Sequence, residues 1–189
     1  QLPRRSGARP GGDRPRRPAR PDDLSLPGAV LHPPAHRRPG RGRCTRCAGR
    51  VTYIDGETVI AFDTGPASAI LDDFVLRRLG RSYDADGALA ATGRIREDLV
   101  AGFMANPFFD RPAPKSLDRN DFHRRAQVVE ALSDADGAAM LAAFTVESMV
   151  AAPRHVPRRP KRWLVGGGRP NRHFMARLAE RLGARSIPS

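Results

Sequence analysis

The sequence predicts an α/β fold for residues 51–185, preceded by a segment of different character. Three patterns lead to this prediction. Asp55-Gly56 separates two runs of β-forming residues, which is a strong hairpin signal because a type I′ turn needs positive φ at its central positions. Apolar residues then recur at helical spacing in several segments. Near the end, an apolar run and three glycines lead into another helical pattern, as in a βα unit.

The predicted hairpin ends at a polar corner, Asp63-Thr64-Gly65-Pro66. Its strands cover residues 51–54 and 57–63, and Pro66 suits the first position of a helix, where the N–H that proline lacks would be unpaired. Asp63 therefore lies at the carboxyl end of a strand and beside a helix N-terminus, whose free N–H groups favour anions. This position suits a catalytic acid or base next to a phosphate, and an N-capping aspartate is the alternative interpretation.

Apolar faces with a period near 3.6 residues predict helices over four segments: residues 66–79, 95–106, 133–152 and 174–182. Gly80 and Gly183 follow the first and the last as C-caps. Ser133-x-x-Asp136 has the form of a capping box at the start of the third. A polar turn with two carboxylates, Tyr83-Asp84-Ala85-Asp86-Gly87, lies between the first two.

A glycine motif near the end of the chain is the second candidate site. Residues 161–165 predict a buried strand, which leads into Gly166-Gly167-Gly168 and then Asn171. Such a unit lets the backbone approach a flat or phosphorylated ligand, with the following helix N-terminus aimed at it. The glycines suit close packing of a strand on a helix equally well. Because the corner at Asp63 precedes it on the same chain, the two motifs together favour ligand binding.

Residues 1–50 differ from the rest in composition. They carry a net charge of +10 from 13 arginines and three aspartates, which leaves +3 for residues 51–189. With few apolar residues to bury, this basic Arg/Pro-rich segment is expected to be disordered. One interpretation is a basic arm for nucleic acid, although it has no aromatic residue to stack on bases. The other is GC-rich coding sequence read in a shifted frame as far as Val51.

The sequence gives no sign of membrane association or of a metal site. Neither end has an apolar run long enough for a membrane span or a signal peptide, so we expect a cytoplasmic protein. Cys44 and Cys47 form a single C-x-x-C pair, whereas a structural zinc site needs four ligands. We therefore assign no metal ligand and take this pair as a chance occurrence.

Taken together, the motifs between Val51 and Gly183 resemble the anhydro-N-acetylmuramic acid kinases, a family of the actin/hexokinase/Hsp70-type sugar kinase superfamily. The resemblance depends on the order and spacing of six motifs: Val51-Thr52-Tyr53-Ile54, Phe62-Asp63-Thr64-Gly65-Pro66, Tyr83-Asp84-x-Asp86-Gly87, Pro114-Lys115-Ser116, Ala143-Phe144-Thr145 and Trp163-Leu164-Val165-Gly166-Gly167-Gly168-x-x-Asn171. It implies that residues 51–185 form part of an actin-like ATPase (ribonuclease H-like) fold, mainly the second lobe, with ATP in the cleft between lobes.

The resemblance implies a reaction in which water opens the 1,6-anhydro ring of anhydro-N-acetylmuramic acid while ATP phosphorylates O6. The product would be N-acetylmuramic acid 6-phosphate, in peptidoglycan recycling. Asp63 matches the family's catalytic aspartate, which takes a proton from that water. The remaining matches concern the nucleotide, with Thr64, Gly65 and Pro66 near the phosphates and an adenosine-side motif of Gly166, Gly167, Gly168 and Asn171. Mg²⁺ is implied without an identified ligand, and a homodimer stays an open alternative.

The sequence also departs from that family. A first phosphate loop of the form Gly-Thr-Ser-x-Asp-Gly and an acidic C-terminal substrate motif are absent, and Cys47-Ala48-Gly49-Arg50 replaces an Asn-x-Gly-Gly-Ile-Ala-Asn stretch. We therefore expect a truncated chain with impaired activity, whose hairpin lacks a neighbouring strand. The alternatives are a non-catalytic nucleotide-binding module and a basic nucleic-acid-binding protein. Lys115 and Arg119 lie in a loop, where solvated charges are expected more than phosphate or sugar contacts.

Overall fold

A mixed four-stranded sheet with helices packed on one face carries the candidate site. The computed structural model describes residues 27–32, 48–117, 122, 125–166 and 168–183. The strands are β1 (Gly28–His32), β2 (Gly49–Asp55), β3 (Thr58–Gly65) and β4 (Arg162–Val165). The helices are α1 (Ala69–Leu79), α2 (Glu97–Met104), α3 (Asp134–Val150) and α4 (Arg172–Leu182), joined by loops and short 3-10 turns.

The predicted hairpin is confirmed, with its turn one residue further along the chain than expected. Asp55 pairs with Thr58, so the two loop residues are Gly56 and Glu57. Positive φ occurs at Gly56 (59°) and is not needed at Asp55. Glycine adopts this conformation without a steric cost, which explains why the sequence signal lies here.

Strand β1 corrects the expectation that the first fifty residues are disordered as a whole. Residues 28–32 pair antiparallel with β2 and parallel with β4, giving the order β3-β2-β1-β4. Leu31 and Ala29 are buried against the helices. The hairpin therefore has a neighbouring strand, contrary to expectation. The rest of the basic segment, including Cys44 and Cys47, lies outside the described residues.

Strand β4 is an edge strand in the described sheet, which corrects the prediction of a buried strand. It pairs with β1 alone, and its side chains alternate between half-buried and exposed positions. Leu164 is 65% exposed, whereas Trp163 and Val165 face the core and are partly buried. A short apolar run does not distinguish a central strand from an edge strand, because both present at least one face to the core.

Helix α3 is the centre of the core. One of its sides packs in a phenylalanine cluster, and another packs on the sheet through Val146 and Met149. The cluster consists of Phe103, Phe108, Phe109, Phe122 and Phe144. The segment Asp134–His155 is long and apolar enough to cross a membrane, but 78% of its apolar window is buried inside the protein. It is therefore the core helix of this fold.

The N-cap predicted at Ser133 is confirmed, whereas the Asp136 carboxylate accepts from the Arg94 N–H, and the cap makes a testable contribution to stability. The Ser133 hydroxyl accepts a hydrogen bond from the Asp136 N–H at 3.1 Å. Ser133→Ala is expected to lower the free energy of unfolding by about 1 kcal/mol, because an N–H of the first turn loses its acceptor. Urea denaturation measures this loss. Ser133→Asp keeps an acceptor and is the control; equal losses in both variants would contradict the capping role.

Candidate active site

The two sequence motifs lie at the same end of the sheet, although β3 and β4 are its two outer strands. Strands β3 and β4 both run parallel to β1, since β2 is antiparallel to β1 and to β3. The pairing places Asp63 opposite Arg50, and Arg50 opposite His32. The Gly166 N–H donates to the Leu31 carbonyl at 2.9 Å, so the glycine loop leaves the sheet at the same end as Asp63. The carboxyl ends of β3 and β4 thus present both motifs to the same side.

A small cleft separates the segment after Asp63 from the glycine loop. It is lined by Ser68 from the first segment and by Gly168 and Asn171 from the second. Its other lining residues come from α1, α3 and α4: Leu71, Ala142, Thr145 and Phe174. Most of this lining is apolar, and its polar side chains are Ser68, Thr145 and Asn171.

Asp63 is 6% exposed and is held at both carboxylate oxygens. The Leu117 N–H donates to Oδ2 at 3.1 Å, and Arg50 Nε donates to Oδ1 at 3.2 Å. The Asp63 N–H donates to the Lys115 carbonyl at 2.9 Å. Each carboxylate oxygen has a second lone pair, so the group can still accept a proton from a bound water. The geometry is that of a carboxylate fixed by one hydrogen bond at each oxygen.

Arg50 forms an ion pair with Asp63 that the sequence did not predict. It follows Gly49 at an irregularity in the β2–β3 pairing, and its side chain is 60% exposed. An ion pair of this exposure contributes little to stability. Its interest lies in its position, because its Nε donates to Oδ1 of the candidate base.

The corner after Asp63 differs from the prediction in where the helix begins. Helix α1 starts at Ala69, with Ser68 at the N-cap, so Pro66 precedes the helix instead of opening it. Ala67 takes positive φ (49°), and its carbonyl accepts the Thr145 hydroxyl at 2.8 Å. Ala67 and Ser68 therefore form a tight bend before α1, and Thr145 of α3 stabilises this bend through its hydrogen bond. Proline statistics alone do not reveal such a bend, since its support comes from a distant helix.

Thr64 and Gly65 are both buried in this corner. An ideal Cβ on Gly49 would lie 2.9 Å from Thr64 Oγ1, so the hydroxyl faces β2 and not the cleft, and it has no hydrogen-bond partner in the described part of the chain. Gly65 packs on Ser148 of α3, where a Cβ would lie 2.8 Å from Ser148 Cβ. The glycine is needed for this close approach, because a side chain would push β3 away from α3.

The glycine loop is only partly described. Gly166 is exposed, Gly168 and Asn171 border the cleft, and Gly167 lies outside the described residues. Asn171 is the N-cap of α4, because its side-chain oxygen accepts the Phe174 N–H at 2.8 Å. The same oxygen lies against Gly87 in the acidic turn, where a Cβ would approach it to 2.4 Å. Asn171 therefore orders the loop and also lines the cleft.

The acidic turn has a structural explanation. The Asp84 carboxylate is 6% exposed and accepts the N–H groups of Leu89 and Ala90 at 2.9 and 3.0 Å. Asp86 takes positive φ (54°), as aspartate tolerates in turns. Among the described residues no group of three or more His, Cys, Asp or Glu side chains could hold a metal ion.

Lys115 is buried, contrary to the expectation of a solvated charge, while Arg119 lies outside the described residues. Its Nζ is 3.0 and 3.2 Å from the carbonyl oxygens of Phe108 and Phe109, and 3.0 Å from His155 Nε2. Burial lowers the pKa of Lys115 to about 8. The pKa of His155 is also lowered, first by burial and then by the Lys115 charge. Sequence spacing gave no signal for this pair, because the two residues are 40 positions apart.

Lys115 gives the stability of the chain a defined pH dependence. Its pKa is 10.5 in the absence of burial and about 8 in the folded chain, so between these values the unfolded chain holds the proton and the folded chain does not. The free energy of unfolding therefore rises with pH. Below pH 8 the folded chain bears the full cost of burying the ammonium, and this cost disappears as the pH approaches 10.5. Relative to Lys115→Met, the unfolding free energy should rise by roughly 2 kcal/mol across this range, less than the whole change in pKa would give because nearby solvent screens the ammonium. Urea titrations measure this difference, and a difference that does not change with pH would contradict it.

Comparison with known proteins agrees with the resemblance stated above. The family described as anhydro-N-acetylmuramic acid kinase matches residues 50–189. The curated anhydro-N-acetylmuramic acid kinase of Paramagnetospirillum magneticum is 44% identical over 167 residues, covering 83% of this chain and 47% of the relative. That of Rhodospirillum rubrum is 43% identical over 171 residues, covering 85% of this chain and 45% of the relative. That of Acidiphilium cryptum is 50% identical over 128 residues, covering 67% and 35%.

Two facts about coverage bear on the chain. It spans less than half the length of the curated relatives it matches. Residues 50–189 are 140 of the 189 residues, so a match over 85% of the chain extends to the N-terminal side of Arg50. The family likeness thus reaches into the basic segment, where β1 lies. With a family match over most of its length, this chain belongs to the anhydro-N-acetylmuramic acid kinase family.

Proposed function

We propose that this chain carries part of the active site of an anhydro-N-acetylmuramic acid kinase, in the second lobe of an actin-like ATPase fold. The observation that carries the proposal is Asp63, a buried carboxylate fixed near the carboxyl end of β3, at the same end of the sheet as the cleft. A general base must lie within hydrogen-bond reach of the water that it activates. A carboxylate held by Leu117 N–H keeps its orientation while the substrate binds.

In the proposed reaction Asp63 takes a proton from a water molecule that attacks the anomeric carbon of 1,6-anhydro-N-acetylmuramic acid. The bond between that carbon and O6 breaks, and O6 takes the γ-phosphoryl group of ATP. N-acetylmuramic acid 6-phosphate and ADP are the products, in peptidoglycan recycling and amino sugar metabolism. Phosphoryl transfer of this kind depends mainly on positioning and charge stabilisation.

The nucleotide is proposed to occupy the cleft between the corner and the glycine loop. The backbone of Gly166, Gly167 and Gly168 would approach the adenosine closely, with Asn171 beside it, and Leu71 and Phe174 would contact its apolar surfaces. The phosphates would extend towards Thr64, Gly65 and Pro66. Thr64 would contribute through its backbone, since its hydroxyl faces Gly49. Mg²⁺ would arrive with the nucleotide, and because the described residues hold no carboxylate or histidine cluster we assign it no step.

We further propose that the chain is impaired as it stands. It covers 47% and 45% of the length of two curated relatives, and part of a phosphate clamp by itself gives little transition-state stabilisation. A cytoplasmic location and a homodimer are proposed on the family resemblance alone.

The test is an assay of the 189-residue chain with ATP and 1,6-anhydro-N-acetylmuramic acid, in parallel with a full-length relative. Mass spectrometry detects N-acetylmuramic acid 6-phosphate at low turnover. We expect product from these 189 residues at a rate at least about 10²-fold below the relative, because they cover less than half of its length. Turnover equal to the relative would refute the impairment, and ATP hydrolysis with a different phosphorylated sugar would refute the substrate.

A second candidate function, nucleotide binding without catalysis, is favoured by Arg50. Its guanidinium occupies Oδ1 of Asp63 and competes there with the water that a base must contact. Arg50→Asn is expected to raise product formation at least tenfold if Arg50 blocks the base. Arg158→Gln is the matched control, because Arg158 forms a similar ion pair with Asp55 at the other end of the hairpin. ATP binding with no product in either variant would favour the non-catalytic module.

A further inference from the structure

Asp63 is enclosed by a ring of contacts that closes through two residues without an assigned role. Its N–H donates to the carbonyl of Lys115, whose Nζ contacts His155 Nε2 at 3.0 Å. The His155 ring in turn lies edge-on to Phe62, with 5.7 Å between ring centroids. Phe62 directly precedes Asp63 in β3. Lys115 and His155 therefore connect both sides of Asp63 to each other.

The Lys115 ammonium has a complete set of partners inside the protein. Its three N–H groups match the carbonyl oxygens of Phe108 and Phe109 and the ring nitrogen of His155. It also lies 4.7 Å from the centre of the Phe108 ring. A buried cation with these partners is fixed in position. The loop that follows it is then fixed too, and this loop supplies the Leu117 N–H to Asp63 Oδ2.

His155 must be neutral at Nε2 to accept from Lys115. This requirement places its single ring proton on Nδ1 when the lysine is charged. His155 lies in the short turn Ala152–His155, which follows α3. Through His155, the end of α3 thus helps to fix the position of Lys115 and of residues 115–117.

We propose that Lys115 and His155 are a positioning pair that holds residues 115–117 against Asp63 and thereby fixes the orientation of its carboxylate. The catalytic consequence rests on the function proposed above, whereas the effect on the Asp63 carboxylate does not. Neither residue is proposed to touch the substrate. The charged groups that act on the pair are Asp110, which favours the cationic forms, and Arg111 and Arg154, which oppose them.

The experiment uses the 189-residue chain labelled with ¹³C-aspartate, in which the Asp63 Cγ resonance is assigned by its loss in Asp63→Asn. Lys115→Met removes the ammonium. His155→Phe keeps a ring against Phe62 and removes the acceptor, whereas His155→Gln keeps an acceptor. Lys161→Met changes the same charge at an exposed position and is the control.

We expect the Asp63 Cγ resonance to show an inflection near pH 8, where Lys115 titrates, and to lose it in Lys115→Met. The resonance should move in His155→Phe and return towards its original position in His155→Gln. Lys161→Met should leave it unchanged. With measurable turnover, Lys115→Met and His155→Phe should lower kcat by roughly 10–100-fold while KM changes less than about threefold, because orientation is lost but binding is kept.

An Asp63 resonance that is unchanged in a folded Lys115→Met would overturn the pair. If Lys115→Met does not fold, the two His155 variants decide, and equal spectra for His155→Phe and His155→Gln overturn it. A chain without turnover bears on the proposed function alone, since the resonance is read without substrate. Normal turnover with an insensitive resonance refutes the pair and leaves the proposed function standing.

Discussion

Asp63→Asn is expected to lower kcat by about 10³-fold, within the range that a general base contributes. Asparagine has nearly the same shape, and its carbonyl oxygen can keep the Leu117 N–H that now lies 3.1 Å from Oδ2. Its amide cannot accept a proton from water, so the substrate binds but the attacking water is not activated. Arg50 loses its partner and turns to solvent, to which 60% of its side chain is already exposed.

The measurement is product formation from 1,6-anhydro-N-acetylmuramic acid and ATP, followed by mass spectrometry, together with ATP affinity. ATP affinity should change less than about threefold, because the cleft does not include Asp63. Glu57→Gln removes an exposed carboxylate in the hairpin turn and is the control, with no expected effect. Retained turnover in Asp63→Asn would remove Asp63 from the base role.

Gly93→Ala is expected to lower the free energy of unfolding by about 3 kcal/mol or more. A Cβ at this position would lie 2.0 Å from the Ala135 carbonyl oxygen and 2.8 Å from the Asp136 nitrogen. Both are backbone atoms in the first turn of α3, which cannot rotate aside as a side chain can. The Arg94 N–H, which donates to Asp136 Oδ1 at 2.7 Å, would be displaced as well. The melting temperature should fall by roughly 10 °C.

Gly102→Ala is the matched control, because nothing lies within 4 Å of its Cβ position. Gly102 is an exposed residue inside α2, where alanine is favoured over glycine, so this variant should gain about 0.5–1 kcal/mol. Thermal and urea denaturation of both variants give the comparison. A loss of less than about 1 kcal/mol in Gly93→Ala would show that the loop moves away from α3 at little cost.

The sequence predicts best where a single local interaction determines the structure. Ser133 caps α3, Gly80 and Gly183 end α1 and α4 in the left-handed region, and Gly56 forms the hairpin turn. Each feature depends on residues within four positions of one another. The order and spacing of six short motifs were also enough to identify the family.

The sequence predicts least where a partner from a distant segment determines the outcome. Residues 28–32 have an unpromising composition around them and become a strand because β2 and β4 are available on both sides. Lys115 looks like a loop charge and is buried because two carbonyl oxygens and His155 surround it. Composition and periodicity contain no information about such neighbours.

In the candidate site too, residues in local motifs were predicted, whereas residues that act through distant contacts were not. Asp63 was predicted from the turn after its strand, and Gly168 and Asn171 were predicted from the glycine motif. The structure places all three at the same end of the sheet. Arg50, Leu117 and Thr145 were not assigned roles, because their contribution is a single hydrogen bond to a residue from another element. Only a weak signal existed for Thr145, a threonine inside an apolar helix.

Strand β1 has a consequence for how the two parts of the site respond to each other. In the described sheet, the hairpin with Asp63 and the strand that leads to the glycine loop share no hydrogen bond, and both are anchored to these five residues. Within the sheet, a shift of the glycine loop is therefore transmitted to Asp63 through β1, in addition to the contacts that α3 makes with the corner and with α4. A shortened chain that starts at Val51 would keep both motifs and lose the strand that joins them in the sheet, so a chain intended to fold should start before Gly28.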